Sequence, residues 1–250
     1  MANSESGHIV NANNIIETVN AVGRHKAEYN PSNPAIKLEV LLPLGKAVKD
    51  AVDKVTQTKI AYTKATANRK NSYDQMATLA KQAIHILCSS EATPDEIKQG
   101  KKLLAVFNSV RVKELPDEEE LKAKAAANGE EAKIPKSVSV SRQGFINKLA
   151  HFRDIVAFLK TVTAYKPNET DLTVEALETF ATSTDTLNSE KSRTTDAWSG
   201  AIQDRNKIMY MEPDGAYYIV NKIKEYVAGA KFKDGAFYKE LLKFPVRGYK

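Results

Sequence analysis

Two stretches decide how this chain is read. Tyr29-Asn30-Pro31 leads into Ile36-Lys37-Leu38-Glu39-Val40-Leu41, and Tyr165-Lys166-Pro167 leads into Leu172-Thr173-Val174-Glu175-Ala176-Leu177, an offset of 136 residues (165 − 29). In each, an aromatic residue and a proline close one helix, and an apolar and acidic pattern opens the next. At the same offset Leu44 falls on Phe180, Ala61 on Ala197, Tyr62 on Trp198 and Asn68-Arg69 on Asp204-Arg205. Upstream, Ile9-Val10-Asn11 falls on Phe145-Ile146-Asn147, and Val19 and Val22 fall on Ile155 and Phe158. Val110-Arg111 falls on Val246-Arg247. Apolar positions meet apolar positions in one unbroken frame, which predicts an internal duplication.

The spacing inside each copy is helical. In the first, Ile9, Ile15 or Ile16, Val19 and Val22 share a face over about 9–27. Asn33 is placed to cap, with Pro34 at the first helical position. A long helix carries Leu38, Leu41, Gly45, Val48, Val52, Val55 and Tyr62 as a seam for antiparallel packing, with Pro43 expected to kink it or delay its start. The pattern runs on through Met76, Leu79, Ala83 and Leu87, and the spacing leaves open whether it breaks at 68–71. Thr93-Pro94-Asp95-Glu96 opens another helix: a cap, a proline at N1, then two carboxylates at the positive end of the dipole. The second copy predicts helices near 142–164, 171–211, 214–229 and 235–243. An extra turn sits at Glu212-Pro213-Asp214-Gly215, and Thr184, Lys191 and Thr194 thin its seam. The fold class expected is all-α: two tandem helical bundles related by duplication, with long antiparallel helices. The domains expected are a disordered tail at 1–8, a first repeat at 9–113, a charged linker at 114–140 and a second repeat at 141–250.

The chain has 37 basic and 31 acidic side chains, a formal +6. That balance eases contact with acidic partners without establishing it, since lysine-bearing helix faces are ordinarily just solvated. Cys88 is the only cysteine, so an intrachain disulfide and a cysteine-based zinc cluster are both excluded. The polar start Met1-Ala2-Asn3-Ser4-Glu5-Ser6-Gly7 does not read as a secretory signal, and no apolar run reaches the ~20 residues a bilayer requires. A cytoplasmic protein is the expectation.

The motifs of common chemistries are missing from the sequence: no Gly-rich phosphate loop, no Gly-x-Ser-x-Gly elbow, no His-Glu-x-x-His. Glu5-x-x-His8 has di-iron spacing but lacks carboxylate-rich partner helices, so it reads as chance. His85 and Cys88 stand three apart and read as a core histidine beside a buried thiol. Arg69 and Arg205 occupy equivalent places, fit either for a pair of anion sites or for interhelical ion pairs. Tyr62 and Trp198 read as matched core anchors. No cofactor and no metal site is expected.

In the last stretch, Tyr210, Tyr217, Tyr218, Tyr226, Tyr238 and Tyr249 alternate with lysines and arginines. Lys231, Lys233, Tyr238, Lys239, Lys243 and Arg247 are candidates for a partner-binding surface. Ile219, Ile223, Tyr226 and Val227 recur at helical spacing, which points most of the rings at a core. Arg205-Asn206-Lys207-Ile208-Met209-Tyr210, then Gly215 through Ile219-Val220, Lys224-Glu225-Tyr226-Val227 and Tyr238-Lys239, resemble small helical hypothetical proteins of Bacteroidetes. The likeness covers mainly 200–247. It implies a helical fold and brings no function with it.

The reading is a non-enzymatic structural or protein-interaction bundle, able to assemble with copies of itself or with another protein. The alternative is a module for nucleic acid or another polyanion, using the basic first repeat and the Lys/aromatic C-terminal segment. A membrane-active bundle ranks last, because no apolar hairpin is visible.

Overall fold

A computed structural model describes residues 5–109, 138–211, 213–230 and 235–249. Among them are seven α-helices and no strand: α1 (Glu5–Arg24), α2 (Leu38–Ser89), α3 (Pro94–Ser109), α4 (Val138–Thr161), α5 (Val174–Tyr210), α6 (Ala216–Gly229) and α7 (Ala236–Leu242), with a 3-10 turn at Pro34–Ile36. The all-helical expectation holds for these residues. No helix among them is long and apolar enough to cross a membrane. Most of the expected linker, and Val110-Arg111, lie outside the described residues.

Local chemistry explains most boundaries. Asn33 Oδ1 accepts from Ala35 N at 3.0 Å, but the turn it caps is the 3-10 turn. Lys37 then returns to extended backbone, so α2 begins at Leu38. Pro43 lies inside α2 and does not delay its start. It falls early in the helix, where few backbone bonds precede it. The helix continues unbroken through 68–71 to Ser89. At Thr93 the capping box closes both ways: Thr93 N donates to Glu96 Oε2 at 2.7 Å, and Glu96 N donates to Thr93 Oγ1 at 3.3 Å. Between α5 and α6, Gly215 N donates to Met211 O at 2.7 Å, and a Cβ on Gly215 would stand 2.7 Å from Met211 N. Only glycine fits that close approach. In α5, hydroxyls at Thr179, Thr182, Thr184, Thr186 and Thr195 bond back to the carbonyl four residues earlier, which lets a helix poor in apolar residues carry them.

The chain forms two compact units, and each draws on both ends of the sequence. One contains the described residues of 5–60 and 196–249, the other those of 61–109 and 138–195. The expected division into 9–113 and 141–250 follows the chain, whereas the compact units cut both long helices, α2 at 60/61 and α5 at 195/196. Packing is the reason: each half of a long helix buries its stripe against residues from the other half of the chain.

In the first unit, Val19, Val22, Tyr29, Ile36 and Leu41 pack with Ile219, Ile223, Val227, Phe237 and Leu241. A second cluster joins Ala12, Ile15 and Val48 to Met209, Ala216 and Val220. In the second unit, Tyr73, Met76, Ala83, Leu87 and Phe107 pack with Phe145, Phe152, Ile155, Leu159 and Leu177. Large side chains such as these contribute roughly 1.5–3 kcal/mol each when fully buried.

Several positions in the two units correspond. Tyr29 Oη donates to Ile36 O at 2.6 Å, and Tyr165 Oη donates to Leu172 O at 2.7 Å; both rings are buried. Burial pushes both phenols above their ordinary range, Tyr165 to about 12. Leu41, Gly45 and Val48 are buried, as are Leu177, Ala181 and Thr184. Leu79, Ala80, Ala83, Ile84 and Leu87 are buried in α2, and so are Gly215, Ala216, Ile219, Val220 and Ile223, each 136 residues later, across the break into α6.

The frame is not unbroken, however. In α1 and α4 the buried positions match at 137: Ala12 with Leu149, Ile15 with Phe152, Val19 with Val156, Val22 with Leu159. The connection before Tyr29 is one residue longer than that before Tyr165, which shifts the register by one. Ile9, expected on the buried face, is accordingly exposed, and His8 is buried in its stead.

Two outcomes follow from this construction. Tyr29→Phe and Tyr165→Phe each strand a buried carbonyl, and each lowers stability by about 1–2 kcal/mol, read as a melting temperature lowered by about 2–8 °C. Cutting the chain once at a specific protease site inserted within 110–137 leaves the two pieces eluting together at the mass of the intact chain. Separation of the pieces under native conditions would contradict the two-part composition of the units.

Candidate functional site

Three places in the first unit hold polar side chains of interest: a buried cluster around Arg205 and His8, an open groove beside α2 and α5, and the exposed side of α7.

Arg205 is 2% exposed. Its Nη1 donates to both Glu5 carboxylate oxygens at 2.8 Å, and Nε and Nη2 donate to Asn206 Oδ1 at 3.2 and 2.9 Å. Glu5 lies in what was expected to be a disordered tail, yet it opens α1, because the buried guanidinium requires a counter-charge. One turn on, His8 Nδ1 stands 2.8 Å from Tyr210 Oη. That hydroxyl also accepts from Asn11 Nδ2 at 3.1 Å, which leaves its own proton for the histidine. Burial lowers the His8 pKa to about 4, reinforced by the Arg205 charge and partly opposed by Glu5. Burial likewise raises Tyr210, against the Asn11 hydrogen bond.

The C-terminal residues close over this cluster. Asn11 Nδ2 donates to Arg247 O at 2.8 Å while Arg247 N donates to Asn11 Oδ1 at 3.1 Å. Asn14 Nδ2 donates to Pro245 O at 2.6 Å, and Lys224 Nζ donates to Phe244 O at 2.6 Å. The Tyr249 ring stacks on His8 and on Tyr210 at centroid distances of 5.8 and 5.4 Å. Chemically this is a joint: a neutral imidazole, a protonated phenol, an amide and an ion pair hold the chain's two ends to one another.

Arg69 has a different role. Its guanidinium lies 4.1 Å from the centroid of the Phe145 ring, a cation–π contact. Arg205 bonds the Glu5 carboxylate, and Arg69 lies over an aromatic face. Tyr62 is half-buried beneath the Lys191 ammonium at 5.1 Å, whereas Trp198 is buried, so the two are not alike as anchors. His85 is exposed and Cys88 half-buried, which corrects the core reading of that pair: the helix turns His85 to water. No group of three or more His, Cys, Asp or Glu that could hold a metal occurs among the described residues.

The groove, of about 990 Å³, is open along one side. Leu44, Ala47 and Ala51 from α2 and Ile208 from α5 line its floor, and Lys54 bonds Asp204 at 2.9 Å on its rim. Both members of that pair are more than half exposed, so the bond is worth at most about 1 kcal/mol.

On α7, Phe237 and Leu241 are buried and Tyr238 packs partly into the same cluster, while Lys239 and Lys243 are exposed. Arg247 exposes its side chain and uses its backbone to bind Asn11. Lys231 and Lys233 lie outside the described residues. Glu240 from this helix bonds Arg24 and His25, which holds its carboxyl below the usual range.

The Glu5–His8–Asn11–Tyr210 cluster escaped sequence reasoning. The available signal was spacing: His8, Ala12, Ile15, Val19 and Val22 continue one stripe, which starting at Ile9 hides. Comparison of the chain with protein-family profiles, with curated proteins and with solved structures yields no match.

The His8 environment sets a pH dependence. Unfolded His8 takes its proton near pH 6.5 and folded His8 near 4, so between these values the unfolded state binds more protons and stability falls as the pH falls. Chemical denaturation is expected to show a loss of about 2 kcal/mol between pH 6.5 and 5. His8→Phe, which installs the ring type found at Phe145, removes that slope.

Proposed function

We propose that this chain is a non-enzymatic structural or protein-interaction bundle that associates with copies of itself and arose by duplication of one helical series. The observation that carries the functional part is how the reactive side chains are engaged. Arg205 is neutralised by Glu5, His8 is held neutral against Tyr210, and Glu240 is occupied by Arg24 and His25. Groups bonded in this way give stability and define contacts between helices. They are not poised around a space where a substrate could react.

The duplication is supported by the two tyrosine-to-carbonyl bonds spanning seven residues, and by the buried positions that recur at 136 or 137. It is supported also by reciprocal pairing. Ser72 and Thr184 share a hydrogen bond of 2.7 Å in one unit, and their counterparts Ile208 and Val48 belong to one apolar cluster in the other.

The polyanion reading keeps one observation in its favour: Lys239 on α7 and Lys243 at its cap are exposed, while Phe237 and Leu241 of the same helix are fixed in the core.

Sedimentation velocity over a range of concentrations separates the readings. Self-association gives masses that rise with concentration to multiples of the single chain, and a single-chain mass throughout overturns it. Retention of a single-stranded oligonucleotide at low salt, lost in Lys239→Gln/Lys243→Gln, would move the assignment to polyanion binding.

A further inference from the structure

Neither compact unit can be completed from one half of the sequence. In the first, α1 and the start of α2 bury Val19, Val22, Leu41 and Val48 against Met209, Ile219, Ile223 and Phe237 of α5, α6 and α7. In the second, the end of α2 and α3 bury Met76, Leu87 and Phe107 against Phe145, Phe152 and Leu177 of α4 and α5. The directional bonds behave alike: Arg205 to Glu5, Tyr210 to His8, Tyr73 Oη to Phe145 O at 2.8 Å, and Asn188 Nδ2 to Tyr73 Oη at 2.9 Å all join residues before 110 to residues after 137. The inner faces of 5–109 and of 138–249 are therefore complementary surfaces of core quality, connected covalently only through 110–137.

We infer that the partner these surfaces fit, besides the other half of the same chain, is the corresponding half of a second copy. Two chains exchange halves, each unit then containing residues 5–109 or their part from one chain and residues 138–249 from the other. The exchange preserves every core contact and hydrogen bond named above. Its cost is the loss of independent motion of one chain, so concentration decides between the closed single chain and the exchanged pair. The covalent connection favours the single chain when dilute, because it holds the complementary half at a high effective concentration. The proposal rests on the reading of the chain as self-associating, and adds to it the surface and the partner.

The test places thiols on both halves of one unit in a Cys88→Ala background. Lys54 and Asp204, bonded and exposed, belong to opposite halves. Chains with Lys54→Cys and chains with Asp204→Cys are unfolded together, refolded at several concentrations and treated with a short bis-maleimide. Exchange predicts a two-chain product containing one chain of each kind. While it is the minor species, its share rises about tenfold for a tenfold rise in concentration. The single chain carrying both substitutions crosslinks internally at every concentration. Lys46 and Asp50 are an ion pair within α2, so Lys46→Cys and Asp50→Cys on separate chains yield no such product.

Absence of the Lys54/Asp204 two-chain product at all concentrations, with the doubly substituted chain crosslinking normally, overturns the exchange. Equal yield from the Lys46/Asp50 pair overturns it too, by showing association through outer surfaces. Rising mass of the native chain without the exchanged product would leave self-association standing while this inference falls, so the two failures can be told apart.

Discussion

The constraint on which the structure depends is that a helix as long as α2 carries an apolar stripe along 52 residues that its sequence neighbours cannot cover. α1 and the 3-10 turn cover part of its start, α3 packs near its end through Gly100 and Phe107, and the remainder is supplied from the other half of the chain. α5 has the reciprocal need. Burial of apolar surface is non-directional, and any apolar face would serve, but the hydrogen bonds select which. Tyr73 reaching Phe145 O, and Arg205 meeting Glu5, fix the pairing to one register.

The two units satisfy the same geometry with unlike chemistry. Where one places Ser72 against Thr184, the other places Ile208 and Val48 in an apolar cluster. Where one sets Arg69 over Phe145, the other sets Arg205 beside Glu5, with His8 at the position matching Phe145. A buried polar pair must be complete to be tolerated. The first unit gathers the ion pair, the imidazole and the Tyr249 ring in one cluster, and burial there holds His8 below its ordinary range.

This economy bears on function. Charged groups held by one another inside a core contribute more to specifying an arrangement than to stability, and they are withdrawn from binding anything else. Among the exposed features are Lys239 on α7, Lys243 just beyond it, and an open groove lined in part by Leu44, Ala47, Ala51 and Ile208.

Much of the architecture was legible in the amino-acid order because its causes are local. Thr93 and Glu96 cap one another, side chain to backbone in both directions, and 3.6-residue spacing marks Leu41, Val48 and Val55 as buried. The exposure of His85 was not legible, because it depends on which distant helix faces the residue, whereas the burial of His8 was marked by its spacing to Ala12, Ile15, Val19 and Val22. Arg69 and Arg205 look equivalent in sequence and differ only in what tertiary packing brings near them: a ring for one, a carboxylate for the other. Sequence by itself determined the helices and their caps, since these follow from interactions a few residues in range. Tertiary structure alone decided that each core is shared between the two ends of the chain, because apolar stripes carry no address and only packing with its fixed hydrogen bonds assigns a partner.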